Sequence, residues 1–231
     1  MVSVVDKVID YTARKYESSR DSYWAYVPND NGQGISYGFV QFNQKVGELP
    51  GLFREMSKVA PSKFSQVFGT YAPKMLQDAW VRGTDLAGDA DFVARLRVSG
   101  QEPEFQQAQR NLAKRKYFDP TALTVKNLGL KSERAYAMAY DTAVQRGAGT
   151  ANRLIIEAAK ATPAGPDWER QVLGKFAVAA DTTTAAGVVN RRKQMLTDLG
   201  LSDGALFAAG AGLTTLMVVG FGIWWYLKHQ A

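Results

Sequence analysis

One strand-like stretch interrupts a chain whose apolar residues otherwise recur at helical spacing, and this contrast most restricts the folds available to it. Helical spacing runs from about residue 3 to residue 16 and returns near 50–59, 62–71, 73–82, 89–98, 103–117, 132–146, 150–161, 166–179 and 184–198. Residues 23–27 and 35–42 are instead rich in strand formers and flank the turn residues 28–34. The sequence therefore predicts a mainly α-helical domain of the α+β class with one small β-hairpin.

The C-terminal end of the chain has a different character. Residues 205–227 contain no charged residue and end in Trp224, Trp225, Tyr226 and Leu227. As a helix this segment spans roughly 35 Å, enough for the hydrocarbon core of a bilayer, and its aromatic residues are typical of a membrane interface. We therefore expect a domain over 1–199, a linker over 200–204, one transmembrane helix over 205–227 in a lipid bilayer, and a tail over 228–231.

Composition excludes several kinds of chemistry. The chain has no cysteine and one histidine, His229, so disulfides, thiolate metal sites and histidine-based catalytic pairs are absent from the predicted domain. We expect no metal and no cofactor, because no cluster of ligand residues is apparent. The net charge of +6 favours a polyanionic partner, but no basic run interleaved with aromatics points to nucleic acid. No feature of the sequence indicates an oligomeric state.

Two carboxylates lie close to each other along the chain, one just before the strand-like stretch and one in its turn. Glu17 ends the first predicted helix, and Asp30 lies beside Asn31 in the turn region. Glycoside hydrolysis needs an acid on one side of the scissile bond and a base or nucleophile on the other. Tyr26 and Tyr37 offer apolar surface that can desolvate the acid or stack on sugar rings. Ordinary helix ends and turns contain the same residue types, so spacing alone does not decide the matter.

The residues around this stretch resemble the active-site region of the lysozyme-like superfamily. Glu17-Ser18-Ser19, followed by Asn31-Gly32-Gln33-Gly34-Ile35-Ser36-Tyr37-Gly38, is similar to the Glu-Asn-(Ser/Gly) and Asp-Gly-x-Gly-x-Thr-x-Gly motifs of the family 46 chitosanases and of their peptidoglycan-hydrolysing phage and bacterial relatives. Residues 34–44, followed by Leu49-Pro50, also resemble this superfamily. A second, separate match lies at the predicted helix 140–147, and the region of Arg191-Arg192 shows a weaker similarity. The resemblance covers roughly residues 1–198 and implies a lysozyme-like fold.

The resemblance also implies roles for individual residues. Glu17 takes the place of the general acid, and Ser36 takes the place of a threonine that helps to hold the attacking water. Gln41 and Gln44 are expected to line the cleft, together with Asn31, Tyr26 and Tyr37 as substrate-binding residues.

The catalytic base is where the chain departs from the family pattern. With the glycines aligned, the family aspartate falls on Asn31, which cannot accept a proton. Asp30, one residue away, is therefore the predicted base, and Asp21 is a weaker candidate. Two mechanisms stay open: hydrolysis with Asp30 activating water and inverting the anomeric centre, or a lytic transglycosylase reaction in which Glu17 acts alone.

Asp141 has a structural interpretation. It lies on a predicted helix among Tyr136, Tyr140 and Arg146, where a buried ion pair is more natural than a cleft residue. A buried pair is costly to break, so replacing Asp141 is expected to affect folding before chemistry.

Charge selects the expected substrate. Peptidoglycan carries carboxylates whereas chitosan is cationic, so a basic domain favours β-1,4 bonds of peptidoglycan glycan strands, with chitosan as the alternative. A binding module that has lost catalysis is a third possibility, motivated by Asn31. With a C-terminal span and no recognisable signal peptide, we expect a single-pass membrane protein in a virion's internal membrane, as a phage lytic enzyme, or in the bacterial inner membrane.

Overall fold

The protein is mainly helical, with one small sheet near its N-terminal end. The computed structural model describes residues 3–16, 22–181 and 191–198. Within these ranges the helices are α1 (Val4–Tyr16), α2 (Glu48–Val59), α3 (Pro61–Phe68), α4 (Ala72–Met75), α5 (Asp78–Gly83), α6 (Ala90–Ser99), α7 (Pro103–Ala113), α8 (Asp119–Asn127), α9 (Glu133–Arg146), α10 (Ala148–Lys160), α11 (Trp168–Asp181) and α12 (Arg191–Thr197). Short 3₁₀ turns occupy Ser22–Trp24 and Gly69–Tyr71.

The sheet has three strands rather than the two of the predicted hairpin. Strands β1 (Tyr26–Val27), β2 (Ser36–Tyr37) and β3 (Phe42–Asn43) pair antiparallel in the order β1-β2-β3. The run 35–42 was expected to be one strand, but Gly38 and Gln41 have positive φ angles of 82° and 56° and turn the backbone between β2 and β3. The predicted strand over 23–27 is also shorter, because residues 22–24 form a 3₁₀ turn.

The helix starts follow local sequence signals. At α1, the Ser3 hydroxyl accepts a hydrogen bond from the backbone N–H of Asp6 (3.2 Å), as in a capping box, and it also donates to the Asp6 carboxylate (2.6 Å). At α9, the Ser132 hydroxyl caps the backbone N–H of Ala135.

A continuous helical path joins α7 to α8, and the sequence did not predict its second half. The predicted helix over 103–117 is present as α7 followed by a π-helical turn over Lys114–Phe118, and α8 then continues to Asn127. Pro120 lies in the first turn of α8 and has no N–H to donate to the fourth residue before it, which favours a change of helical geometry at this point. The predicted helix over 73–82 is divided into α4 and α5, and that over 184–198 is described only as α12.

Two groups of helices share one buried core. Helix α2 packs on α3 and α7, and Phe53, Phe64, Phe68, Phe92 and Phe105 fill the space between these helices and α6. Helix α9 packs against α1, α8, α10 and α12, and it is buried from Glu133 to Ala143. The sheet lies beside the first group, with Phe42 and Tyr37 completely buried.

The predicted membrane span over 205–227 and the flanking segments 200–204 and 228–231 lie outside the described residues. Among the helices that the structure describes, none combines the length and the apolar character needed to cross a bilayer.

Candidate active site

The turn between β1 and β2 is a tightly bonded loop. Asn29 accepts a hydrogen bond from the Gly32 N–H through its side-chain oxygen (2.9 Å), and the Asp30 N–H donates to the Gly34 carbonyl (2.9 Å). Asn31 adopts a left-handed conformation with φ of 52°, which asparagine tolerates better than most residues. Lys45 donates to the Gly32 carbonyl (2.7 Å), so the loop is also held from the β3 side.

Asp30 is the carboxylate that this loop presents. Its side chain is half-buried, and the buried Ser36 hydroxyl donates to Oδ2 at 2.7 Å. The Asn31 amide donates to Oδ1 at 3.1 Å. Both carboxylate oxygens are therefore oriented by neutral hydrogen-bond donors. The arrangement can hold a base in a fixed direction while leaving lone pairs for a water molecule.

The structure removes Tyr37 from the set of residues available to a substrate. Its ring is 0% exposed, and its hydroxyl shares a hydrogen bond with Ser99 on α6 at 2.9 Å. Burial raises the pKa of Tyr37 well above the usual tyrosine range. Alternation along β2 places Ser36 toward Asp30, while Tyr37 points into the core, which corrects the prediction that Tyr37 binds substrate.

Gln44 has a structural place as well. Its side chain is nearly buried, and its oxygen accepts from the Ile35 N–H at 2.9 Å. Its amide donates to the carbonyl of Val81, which lies on α5, and to that of Thr84, which directly follows α5. Gln44 borders the cavity beside the loop, as predicted, but its polar atoms brace the loop against α5 rather than face a ligand.

Tyr26, Asn31 and Gln41 remain accessible. Tyr26 is partly exposed beneath the Arg97 guanidinium, 5.5 Å above its ring centre; partial burial raises its pKa and the Arg97 charge opposes this. Gln41 is partly exposed, and its amide donates to the Gly38 carbonyl at 2.8 Å. The structure therefore leaves these three predicted binding residues in positions from which a ligand can be contacted.

Glu17 and the weaker candidate Asp21 lie outside the described residues, and one arginine joins described residues from before and after their segment. Arg110 on α7 binds Asp10 on α1 at 2.5 Å and Asp6 at 3.0 Å. The same guanidinium donates to the Tyr23 hydroxyl, in the 3₁₀ turn after the segment, at 2.9 Å. Sequence reasoning missed Arg110, because a lone arginine in an amphipathic helix shows no sign of the distant groups that it joins.

Asp141 is a buried ion-pair residue, as its sequence context predicted, but its partners are different. Its carboxylate contacts the Nε atoms of Arg191 (2.9 Å) and Arg192 (2.8 Å), and Arg192 also reaches Asp181 at 3.3 Å. Arg146 instead donates to backbone carbonyls at the end of α11. The cluster joins α9, α11 and α12, and it brings together two of the segments that carry the family resemblance.

The described part of the chain is a helical domain whose three-stranded sheet presents the carboxylate of Asp30 on its first loop. The sequence model of glycosyl hydrolase family 46 matches residues 11–183, and the chain belongs to that family. This membership confirms the resemblance to family 46 seen in the sequence.

Similar proteins of known structure are chitosanases. The chain is 26% identical over 127 residues to a chitosanase of Bacillus subtilis (strain 168), a match that covers 54% of this chain and only 45% of that protein. A Gynuella sunshinyii family 46 chitosanase in complex with chitotetraose has a TM-score of 0.59 at 18% identity, over 84% of this chain and 82% of its own. Native chitosanase from Bacillus subtilis MY002 has a TM-score of 0.59 at 19% identity, over 84% of this chain and 83% of its own. At these identities the structural likeness shows the shared fold.

Proposed function

We propose that the protein is a chitosanase-type glycoside hydrolase that cleaves β-1,4 bonds of a glucosamine-containing glycan. The observation that carries the proposal is the 2.7 Å hydrogen bond from Ser36 to Asp30, which orients a carboxylate on the loop where the family pattern expects its base. Family membership and the chitosanases among its relatives support chitosan as the substrate over the peptidoglycan that charge alone favoured.

In the proposed reaction Glu17 is the acid and Asp30 the base. Glu17 donates its proton to the glycosidic oxygen as the bond from that oxygen to the anomeric carbon breaks. A water held by Asp30 attacks the anomeric carbon from the opposite face and passes a proton to the Asp30 carboxylate, so the product is inverted. Ser36 positions Asp30, and Tyr26, Asn31 and Gln41 offer contacts to the sugars.

Peptidoglycan is the second candidate substrate, and charge is the observation that favours it. The chain carries a net charge of +6, and the cavity beside the Asp30 loop is lined by two cations, Lys45 and Arg82, against one carboxylate, Asp85. These cations suit the carboxylates of peptidoglycan better than the ammonium groups of chitosan. On this substrate the lytic transglycosylase reaction, with Glu17 acting alone, is the alternative to hydrolysis.

The C-terminal segment belongs to the same proposal. We infer from its uncharged length that residues 205–227 anchor the enzyme in a bilayer, either a virion's internal membrane or the bacterial inner membrane. Sedimentation with membranes, lost on deletion of 205–231 with activity retained, is the expected result. A deletion variant that still sediments with membranes would contradict the anchor.

The experiment compares both polymers with the purified full-length protein and identifies the products by mass spectrometry. Glu17→Gln and Asp30→Asn are each expected to lower turnover of chitosan by at least about 100-fold, as removal of a general acid or base does. Asp167→Asn, an exposed carboxylate at the start of α11, is the control and should leave turnover unchanged.

The outcomes separate the candidates. Glucosamine oligomers that disappear in both variants establish the hydrolase. Anhydro-muropeptides from peptidoglycan that persist in Asp30→Asn but not in Glu17→Gln would establish the transglycosylase. A folded protein that binds glycan without products, unaffected by Glu17→Gln, would identify a binding module.

A further inference from the structure

We propose that Asn43 is a positioning residue that fixes the direction of the Ser36–Asp30 hydrogen bond. Asn43 lies on β3 directly opposite Ser36, and its amide nitrogen is 3.2 Å from the Ser36 hydroxyl oxygen. Both side chains are buried. This inference rests on the proposed function, because it concerns the carboxylate assigned there as the base.

The orientation of the Asn43 amide follows from its other contacts. Its side-chain oxygen accepts a hydrogen bond from the Val46 N–H at 3.1 Å, so the nitrogen must face Ser36. The Asn43 backbone N–H in turn donates to Glu48 at 3.3 Å, and Lys116 (2.5 Å) and the Tyr117 hydroxyl (2.6 Å) hold that carboxylate. Asn43 is therefore fixed from three directions: by β2, by the turn into α2, and by the π-helical turn.

Asn43, Ser36 and Asp30 are therefore joined by two consecutive hydrogen bonds that run in one direction, from the amide to the carboxylate. Because Asn43 donates to the Ser36 oxygen, the Ser36 hydrogen is free to point only away from Asn43, toward Asp30 Oδ2 at 2.7 Å. Ser36 is thus an obligate donor to Asp30, and consecutive hydrogen bonds of this kind strengthen one another. A donor at this position holds the plane of the Asp30 carboxylate.

Replacement of Asn43 by aspartate reverses the direction of the hydrogen bond to Ser36 with little change in side-chain shape. Asn43→Asp keeps an oxygen for the Val46 N–H but turns the donor toward Ser36 into an acceptor. Two carboxylates then compete for the one Ser36 hydroxyl hydrogen, so Asp30 loses Ser36 as an assured donor and keeps only Asn31. We expect the acid limb of the pH–activity profile to move to higher pH, because the base loses a hydrogen bond that its charged form accepts. The kcat at fixed pH should fall on the order of tenfold, with KM little changed.

The new charge must be separated from the lost donor. Among the described residues, the charged groups that line the cavity beside the Asp30 loop are Lys45, Arg82 and Asp85, and Glu48 and Lys116 lie behind Asn43. Gln33→Glu is the control for charge: it makes the same amide-to-carboxylate change at an exposed residue of the loop that carries Asp30. Asn43→Ala removes the donor without adding charge, and serves as the second variant if Asn43→Asp does not fold.

The experiment measures pH–activity profiles of the full chain together with the NMR titration of the Asp30 side-chain carboxyl, assigned by its loss in Asp30→Asn. Both Asn43 variants should move the acid limb and the titration midpoint upward, and Gln33→Glu, which adds charge but keeps the donor, should move them less. In a Ser36→Ala background, Asn43→Ala should add nothing, because the two residues act in series.

Three results would overturn the inference: unchanged midpoints in folded Asn43 variants, an equal change in Gln33→Glu and Asn43→Asp, or additive effects of Asn43→Ala and Ser36→Ala. Failure of the proposed function looks different, since Asp30→Asn would then retain turnover. The NMR titration still reports on Asn43 in that case, because it does not depend on activity.

Discussion

Asp30 and Asp141 are carboxylates whose surroundings suit them to different roles. Asp30 is half-buried, and its two hydrogen-bond donors are the neutral groups of Ser36 and Asn31. Asp141 is completely buried between the guanidinium groups of Arg191 and Arg192. Water can reach the first, which suits a base. The second neutralises cations in the core, which suits a structural residue.

The buried cluster gives a test at the residue scale. We expect Arg192→Met to lower the free energy of unfolding by about 3–5 kcal/mol, because it leaves Asp141 and Asp181 without the cation that lies between them. Arg153→Met removes an arginine from an exposed pair with Glu157 and should cost less than about 1 kcal/mol. Urea denaturation of the two variants measures the difference. Equal losses of stability would show that the buried cluster is no more important than a surface pair.

At the scale of the element, the β1–β2 loop owes its shape to two glycines that the sequence motif already contains. Gly32 and Gly34 have nearly equal φ angles of 78° and 77°, in the left-handed region. A Cβ on Gly32 would meet open space, whereas a Cβ on Gly34 would overlap the Gln44 side chain. Alanine at either position would therefore meet the same backbone strain, but only at Gly34 would it also meet a steric overlap.

Alanine at each glycine tests that separation. Gly32→Ala should destabilise the protein by about 1 kcal/mol through backbone strain alone. Gly34→Ala should cost about 1–3 kcal/mol more, because it also displaces Gln44 from the Ile35 N–H. Thermal unfolding of both variants gives the comparison. A Gly34→Ala variant as stable as Gly32→Ala would mean that Gln44 does not brace the loop.

Charge acts at the scale of the whole molecule, and it opposes the substrate that the relatives favour. A net charge of +6 repels the ammonium groups of chitosan and attracts the carboxylates of peptidoglycan. Both effects are screened by salt. The dependence of KM on ionic strength can therefore show how the charge of the protein affects the binding of each polymer.

We expect the two substrates to respond to salt in opposite directions. Raising the salt concentration from about 0.1 M to about 1 M shortens the Debye length from about 10 Å to about 3 Å. The KM for chitosan should fall over this range, and any KM for peptidoglycan should rise. An uncharged N-acetylated chitin oligomer is the control and should show little change. A KM for chitosan that rises with salt would indicate a locally acidic cleft that outweighs the net charge.

Local signals in the sequence predicted the helices well and the sheet only in part. Helical periodicity placed most of the helices, because each buries one face and the spacing of apolar residues records it. The third strand was missed because Gly38 and Gln41 break a run that reads as one strand. Helix α8 was missed because Pro120 reads as the end of a helix, whereas the structure continues through a π-helical turn.

The sequence by itself determined the fold class, the family and Asp30 as the carboxylate of the loop, because these depend on periodicity and on short motifs within a few residues. Only the tertiary structure decided which side chains meet. It turned Tyr37 and Gln44 inward, paired Asp141 with Arg191 and Arg192 rather than with Arg146, and placed Asn43 behind Ser36. Such contacts join residues distant in the chain, and spacing along a sequence does not record distances across a packed core.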